Sequence, residues 1–254
     1  MENKFLISLI IPCYNEEINI QKGVLDKIGD YTKNNSVFTE IIIVDDGSSD
    51  NSKKIIKNKY LKSFSKFRLI ENKHQGKAFA IISGIRASKG NWIMFSDIDQ
   101  ATPLEESEKL IAVARKNIPI VIGSRNSQRA GAPFLRKLMA VGFIFIRNLV
   151  LNLKGIKDTQ CGFKLFNKSA ALKIVNNLKV FHNNRQASGS SVTAGFDLEF
   201  LFLAAKLRYQ IAEIPVSWRH VETKNVSFVK DTIETLKDII RIKYFDLTKK
   251  YNLD

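Results

Sequence analysis

Cysteine and histidine are scarce in this sequence of 254 residues, and their scarcity excludes several kinds of site. The two cysteines, Cys13 and Cys161, lie far apart. They therefore form neither a disulfide framework nor a cysteine-based zinc site, and a reducing compartment is expected. The three histidines, His74, His182 and His220, are scattered and lack the spacing of metal ligands.

Long apolar runs are also missing. The longest, "LMAVGFIFIRNLVLNL" from Leu138 to Leu153, is too short to cross a bilayer and carries Arg147, Asn148 and Asn152. Near the N-terminus, "LISLIIP" is too short for the apolar part of a signal peptide and runs directly into polar "CYNEE". We therefore expect a chain that is soluble or bound peripherally to a membrane.

Basic residues outnumber acidic ones. The sequence has 40 lysines and arginines against 25 aspartates and glutamates, a net charge of +15. That balance favours an anionic partner: nucleic acid, a phosphate-bearing substrate or an acidic membrane surface. Charge alone does not choose among these three. The length suits one large α/β domain.

Short strands rich in Ile and Val alternate with amphipathic helical stretches in the first half of the chain. Strands are predicted at 5–12, 40–46, 67–72, 91–99 and 118–125. Helices are predicted at 15–32, 49–64, 76–89 and 103–116. Continuous apolar strands are typical of a sheet covered on both faces, so the pattern predicts a mostly parallel, doubly wound sheet. After residue 126 the alternation gives way to a long helix, a short β-like segment, a polar loop and two more helices.

An acidic pair ends the fourth predicted strand, at the edge where open α/β sheets bind their ligands. The segment "FSDIDQATP" holds Asp97 and Asp99. Thr102, Pro103 and Glu105 predict a capping box for the next helix, which leaves the two aspartates unexplained. Two carboxylates on one rim repel each other unless a cation lies between them, and oxygen ligands suit Mg²⁺ or Mn²⁺. A plain strand end followed by a turn is the alternative interpretation.

A second acidic pair, Asp45 and Asp46, stands in "VDDGSSDNS" before a turn at Gly47. Ser49 or Asp50 is predicted to cap the helix that follows, which gives this segment a structural role. Carboxylates at a sheet edge also accept hydrogen bonds from a nucleobase N–H or from ribose hydroxyls. Both interpretations remain open from the sequence.

Basic residues occur after other strands. The segment "KHQGKAFAIISGI" fails the P-loop pattern and predicts an ordinary helix, although Lys77 at its start can face a phosphate. The segment "GSRNSQRAGAPFLRK" holds Arg125, Arg129 and Arg136, either as a phosphate-binding group or as a solvated basic loop.

The segment 136–154 is predicted to form an amphipathic helix. Its polar side comprises Arg136, Lys137, Arg147, Asn148, Asn152 and Lys154, and its other side is apolar. This pattern fits a helix packed on the core, and it also fits a helix lying in a membrane interface. The C-terminal segment, 223–254, predicts another helix that is rich in lysine and arginine and can assist such contact.

Taken in order, the segments "IPCYNEE", "VDDGSSD", "QGKAFAIISGI", "DID", "GSR", "DTQCGFKLF", "GFDLEF" and "EIPVSW" resemble the family 2 glycosyltransferases of GT-A fold. More narrowly, they are similar to the dolichyl-phosphate glucosyltransferases and polyprenyl-phosphate sugar synthases. The resemblance spans residues 6 to about 220. It implies one GT-A catalytic domain at 1–222, with a Rossmann-like, mostly parallel α/β sheet flanked by helices. The basic helix at 223–254 would follow this domain.

The resemblance also implies roles for individual residues. The nucleotide-sugar contacts would be Pro12, Tyr14, Glu16, Asp45, Asp46, Lys77 and Asp97. Asp97 and Asp99 would bind Mg²⁺ or Mn²⁺ on the donor diphosphate. The acceptor-phosphate contacts would be Arg125, Arg129, Arg136 and Lys164. The helix at 136–154 would lie on the membrane and guide the lipid.

The sequence departs from the family pattern in two places. Mannosyl enzymes carry Gln two residues after the second aspartate, where this chain has Ala101, and the glucosyl branch usually has Gly at the position of Gln100. Family members often carry a membrane anchor or membrane helices, and neither is recognised here. Membrane contact is therefore expected to be peripheral or supplied by a partner.

The identity of the acceptor decides whether a general base is needed. A phosphate monoester is mostly dianionic at neutral pH, because its second pKa is about 6, so it attacks the anomeric carbon without a strong base. A sugar hydroxyl would need a carboxylate base, for which Asp158 and Asp197 are the candidates. A single displacement inverts the anomeric centre.

The sequence therefore predicts an inverting, metal-dependent glycosyltransferase at the cytoplasmic face of a membrane, with UDP-glucose as donor and a polyprenyl or dolichyl phosphate as acceptor. GDP-mannose as donor and a saccharide hydroxyl as acceptor are the alternatives within this class. A nucleic-acid-binding protein is disfavoured because stacking motifs and a recognition helix are missing. A catalytically inactive scaffold is disfavoured by the intact Asp97 and Asp99.

Overall fold

The structure is a computed structural model. It describes residues 4–125, 142, 144, 146–153, 155–181, 194–219, 228–251 and 253, and of residues 194 and 228–232 it gives the backbone alone. The predicted phosphate-binding residues Arg129 and Arg136 and the polar loop at 182–193 lie outside the described residues.

A seven-stranded sheet forms the centre of the molecule, with strands in the order β3-β2-β1-β4-β6-β5-β7. The strands are β1 (Ile7–Cys13), β2 (Phe38–Asp45), β3 (Phe67–Glu71), β4 (Trp92–Ser96), β5 (Ile120–Arg125), β6 (Phe163–Asn167) and β7 (Ile211–Val216). Each of the five strands predicted in the first half of the chain is present, with ends that differ by at most three residues.

The sheet is mostly parallel, as predicted, and β6 is the exception. This strand runs antiparallel to both of its neighbours, β4 and β5, and Ser96 pairs with Phe163. The start of β6 therefore lies beside the end of β4. As a result, the segment before β6 reaches the same sheet edge as the residues that follow the parallel strands.

The helices are α1 (Glu17–Gln21), α2 (Val24–Lys33), α3, which joins Ser52–Ile55, a π-helical turn Ile56–Tyr60 and Leu61–Ser63, α4 (Lys77–Ala87), α5 (Ser107–Ala114), α6 (described at 142, 144 and 146–151), α7 (Lys168–Asn177), α8 (Ala194–Lys206) and α9 (Phe228–Leu247). The single helix predicted at 15–32 is wrong in one respect: it is divided at Gly23. There the backbone adopts φ 79, a left-handed conformation that interrupts a helix and favours glycine.

The core lies on both faces of the sheet, because successive strand residues point to opposite sides. On one face, Ile10 packs in a cluster with α4, α7, α8 and α9. On the other face, Leu9 and Ile11 pack with α1, α2, α3 and α5. Ile239 and Ile242 of the C-terminal helix are buried in the first cluster, so this helix contributes to the same core as the sheet.

The polar face predicted for 136–154 is wrong at Arg147. This side chain is 1% exposed and hydrogen-bonds to Ile156 O, Thr159 Oγ1 and Asn148 Oδ1. Leu149 is 73% exposed instead. The helix also ends early, at 151, and Asn152 has φ 53. Hydrogen bonds to residues 156–159 therefore hold the Arg147 side chain in the protein interior. Amphipathic spacing does not predict these bonds.

Within the described ranges, each helix is either too short or too polar to span a lipid bilayer.

Candidate functional site

The carboxyl ends of the parallel strands meet at one edge of the sheet. Asp45 is the last residue of β2, Arg125 is the last residue of β5, and Asp97 directly follows β4. The reversed direction of β6 brings Gly162 to the same edge. Residues that are far apart in sequence thus surround one cleft, of the kind that binds ligands in open α/β sheets.

The acidic pair after β4 faces a lysine. The Nζ atom of Lys77, at the start of α4, contacts Oδ1 of Asp97, and Asp99 Oδ1 accepts a hydrogen bond of 3.0 Å from Ala101 N. Burial tends to lower the pKa of Lys77, but the charges of Asp97, Asp197 and Asp99 outweigh it and raise that pKa. Burial also raises the pKa of Asp99, and the nearby charge of Asp97 adds to this effect. This acidic pair therefore attracts a cation.

Asp97 and Arg125 line the same small cavity, of about 50 Å³, together with Gln160, Gly162 and Trp218. A β-carbon at Gly162 would lie 2.1 Å from Asp97 Oδ2, so glycine is required for the carboxylate to occupy this position. The cleft thus presents a carboxylate and a guanidinium to the same space.

The capping box predicted after the acidic pair is wrong. The helix begins with a 3₁₀ turn at Leu104–Glu106, Pro103 precedes it as the capping residue, and its start has no side-chain cap hydrogen bond. Thr102 is instead buried beside the cleft. Packing beside the cleft therefore sets the position of Thr102, although the local sequence pattern is that of a capping box.

Arg125 and Asp158 form a bidentate ion pair. Nε and Nη2 of Arg125 donate to Asp158 over 2.7 and 2.8 Å, and the backbone N of Arg125 donates to the same carboxylate over 3.0 Å. Burial tends to raise the pKa of Asp158, but the hydrogen bonds and charge of Arg125 outweigh it and hold this pKa below its usual range. Such a carboxylate is a weak base, which argues against Asp158 as a general base. Nη1 of Arg125 has no hydrogen-bond partner within the part of the chain that the structure describes.

The second candidate base is paired as well. Lys164 Nζ lies 2.8 Å from Asp197 Oδ1 and also donates to Cys161 O. Lys164 is 1% exposed, so the structure argues against its predicted contact with an acceptor phosphate. Its role is to hold β6 to the first turn of α8, where Asp197 stands.

The two acidic residues at the end of β2 differ sharply in their surroundings. Asp46 accepts hydrogen bonds from Gly76 N at 2.7 Å, Gln75 N at 3.1 Å and His74 Nδ1 at 2.8 Å, so it organises the turn before α4. Asp45 is fully buried, and its Oδ1 has no hydrogen-bond partner in the described part of the chain. A buried carboxylate oxygen without a donor is costly, so Asp45 is suited to accept a hydrogen bond from a ligand.

The remaining predicted contacts lie on β1 and the segment that follows it. Pro12 pairs with Val44 in the sheet. Tyr14 stacks on His74, with ring centroids 4.0 Å apart. Glu16 accepts a hydrogen bond from Asn19 Nδ2 at 2.6 Å.

Three residues at this edge were missed by sequence reasoning: His74, Gly162 and Trp218, whose ring lies 5.9 Å from the Arg125 guanidinium carbon. Each stands inside or beside a segment with a recognisable motif. Their roles depend on contacts between distant segments, which spacing along one segment does not reveal.

Comparison with known proteins gives matches over most of the chain. Residues 8–175 match Glycosyl transferase family 2. The dolichyl-phosphate beta-glucosyltransferase of Dictyostelium discoideum is 35% identical over 254 residues, which cover 94% of this chain and 74% of that protein. The human protein of the same name is 34% identical over 265 residues, covering 98% of this chain and 78% of the relative.

Solved structures share the fold. Glucosyl-3-phosphoglycerate synthase from Mycobacterium tuberculosis, in complex with Mn²⁺, UDP-glucose and glycerol 3-phosphate, superposes with a TM-score of 0.68 at 15% identity, covering 94% of this chain and 80% of that chain. The same enzyme in complex with Mg²⁺ and UDP gives a TM-score of 0.67 at 15% identity, covering 94% and 79%. At this identity the likeness shows the GT-A fold alone, and it confirms the predicted fold class.

Proposed function

The chain belongs to glycosyl transferase family 2. We propose that it transfers glucose from UDP-glucose to dolichyl phosphate or a related polyprenyl phosphate. The observation that carries the proposal is the 35% identity to a dolichyl-phosphate beta-glucosyltransferase across 94% of this chain. The proposal includes a divalent cation and a peripheral position at the cytoplasmic face of a membrane.

Asp45 is the proposed contact to the base of the donor. Its Oδ1 is the kind of acceptor that a uracil N–H requires, and among the described residues this atom has no hydrogen-bond partner. Hydrogen bonds between the neighbouring loops hold this side of the cleft, since Asn15 Oδ1 accepts from Ser49 N at 2.7 Å and Ser48 Oγ accepts from Asn15 N at 2.9 Å. Tyr14, stacked on His74, offers a flat surface beside them.

Asp97 and Asp99 are the proposed ligands of Mg²⁺ or Mn²⁺. The site fits such an ion, because the two carboxylates supply hard oxygen ligands and their charge already attracts the ammonium group of Lys77. When bound, the ion would neutralise charge on the leaving diphosphate. Lys77 stands at the start of α4 and would then be available to the same diphosphate.

A phosphate acceptor fits the site better than a hydroxyl acceptor. Asp158 is paired with Arg125 and Asp197 with Lys164, so both candidate bases already have cationic partners. An anionic phosphate needs no base, and Nη1 of Arg125 provides a donor for it. In-line attack by that phosphate would invert the anomeric carbon, turning an α-linked donor into a β-linked product.

A transfer assay tests the proposed reaction. The purified chain, a short polyprenyl phosphate and Mn²⁺ are incubated with labelled UDP-glucose or labelled GDP-mannose. We expect label in the organic phase from UDP-glucose alone, and no label after chelation of the metal. Transfer only from GDP-mannose would overturn the donor. Binding of UDP-glucose without lipid labelling would overturn the phosphate acceptor in favour of a hydroxyl.

The variant Asp45→Asn provides a matched comparison in that assay. Asparagine keeps the size of the side chain but removes the charge that strengthens a hydrogen bond to the base. We expect the KM for UDP-glucose to rise about tenfold with little change in kcat, since a hydrogen bond to a charged group contributes about 1.5–3 kcal/mol. An unchanged KM would show that Asp45 does not contact the donor.

Gly162→Ala is expected to weaken metal binding and transfer about 10- to 100-fold, because the added methyl group would force the Asp97 carboxylate to move. Folding is expected to persist, since the clash involves the end of a side chain. Titration with Mn²⁺ followed by electron paramagnetic resonance measures the effect independently of activity.

Gly29→Ala serves as the control. Its added methyl group would clash with the Phe64 ring in the α2 region, which would lower stability while leaving Mn²⁺ affinity intact. Wild-type Mn²⁺ affinity in Gly162→Ala would contradict the assignment.

A further inference from the structure

The outer side of α9 carries apolar side chains that the core does not use. Ile240 is 67% exposed and Leu247 is 70% exposed, and Ile233 and Tyr244 are exposed as well. In contrast, Ile239 and Ile242 of the same helix are buried against the core. The helix is therefore held in place by one face, and a second apolar face is left over.

The exposed residues form a single stripe. With 3.6 residues per turn, the four side chains fall within about 60° of arc, and the stripe runs for about 21 Å along the helix. We call these four residues, Ile233, Ile240, Tyr244 and Leu247, the α9 stripe. Singly exposed apolar residues need no explanation, but a continuous stripe indicates an interaction surface.

Basic side chains border the α9 stripe. Lys237 and Arg241 lie along one edge, and Lys249 and Lys250 follow its C-terminal end, all of them exposed. The acidic residues Asp238 and Asp246 face away from solvent.

Among the described side chains of α9, Glu234 is the acidic one that stays partly exposed, and it is paired with Lys237 at 2.8 Å. The border is therefore net cationic. An apolar stripe with cationic borders is the pattern of a helix that lies in the interface of an anionic membrane.

We propose that the α9 stripe and its basic border dock on an anionic lipid surface. This inference rests on the proposed lipid-phosphate acceptor, because it says which face of the chain meets the membrane that holds that acceptor. A second copy of the chain fits less well. Pairing two stripes would bring two cationic borders together on molecules that each carry a net charge of +15. An anionic bilayer instead offers acyl chains to the stripe and negative headgroups to the lysines.

Sedimentation with vesicles tests this docking without donor or polyprenyl phosphate, so its result is independent of the transfer reaction. We expect the full chain to bind vesicles of phosphatidylcholine with about a third phosphatidylserine at least tenfold more tightly than phosphatidylcholine alone. The double variant Ile240→Gln, Leu247→Gln is expected to lose about tenfold or more of that binding. It should still label a short, water-soluble polyprenyl phosphate.

The control variant is Ile18→Gln. Ile18 is 66% exposed but lies on α1, so its substitution removes similar apolar area from a different surface and should leave vesicle binding unchanged. Equal losses in both variants, or equal binding of wild-type chain to neutral and anionic vesicles, would overturn the proposal. A concentration-dependent dimer that the double variant abolishes would also overturn it, in favour of a second copy as the occupant. Loss of transfer with vesicle binding intact would count against the proposed function alone.

Discussion

Asp97→Asn is expected to reduce kcat for glucosyl transfer about a thousandfold. The substitution removes one of the two carboxylates proposed to hold the divalent cation, and it also removes the ion-pair partner of Lys77. A cation on the leaving diphosphate is worth several kcal/mol of transition-state stabilisation, and each 1.36 kcal/mol corresponds to a factor of ten in rate. Single-turnover transfer from UDP-glucose to a short polyprenyl phosphate measures the loss.

The matched control is Asp30→Asn. Asp30 is an exposed carboxylate paired with Lys33 on α2, so its loss removes the same charge without touching the cleft. Both variants should unfold at nearly the wild-type temperature, because Asp97 is also partly exposed. An Asp97→Asn enzyme that retains Mn²⁺ binding and a rate within tenfold of wild type would exclude this carboxylate from the metal site.

Glu199→Ala is expected to lower the free energy of unfolding by about 4 kcal/mol or more. This fully buried carboxylate accepts hydrogen bonds from the backbone N of Lys179, Val180 and Phe181, at 2.7, 2.9 and 3.0 Å. It also accepts a bond of 2.9 Å from the Tyr251 hydroxyl. Alanine would leave these donors without a partner, and each buried, unsatisfied group costs about 1–3 kcal/mol.

Two further variants separate the contributions to this cluster in urea denaturation. Tyr251→Phe removes a single hydrogen bond and should cost about 1 kcal/mol. Glu199→Gln keeps the size and one carbonyl oxygen, so its cost should fall between the other two. If Glu199→Ala cost no more than Tyr251→Phe, the carboxylate would not be the centre of the cluster.

The strands and the edge that binds ligands were predictable from the sequence because their signals are local. Apolar runs of five to eight residues that are rich in Ile and Val and bounded by polar segments favour strands in a covered sheet, and the polar residues that end them then lie at its rim. The positions of Asp45 and Asp97 follow from this rule. The motif order that indicates the family is likewise a property of the sequence.

Predictions from local sequence patterns were wrong where contacts with another segment fix the position of a side chain. Amphipathic spacing predicted Arg147 on a polar face, but the 156–159 turn supplies acceptors that draw it inward. Thr102 has the sequence context of a helix cap, yet packing beside the cleft gives it a different position.

Charge pairing was decided by the tertiary structure in the same way. The sequence offered Asp158 and Asp197 as bases and Lys164 as a phosphate contact, because each is a charged residue in a motif. The antiparallel strand β6 brings Lys164 against Asp197, and the segment before it brings Asp158 against Arg125. A charge buried in the protein interior needs an opposite charge or several hydrogen-bond partners, and for Asp158 and Asp197 the fold supplies the opposite charge.

The alternation of strands and helices, the acidic rim and the family were predictable from the sequence, since each depends on residue type and on spacing within a short segment. The tertiary structure alone decided which charges remain free for a ligand. Neutralisation depends on distances between groups that are far apart in the chain, and only the packing of β6, α4 and α8 around the cleft sets those distances.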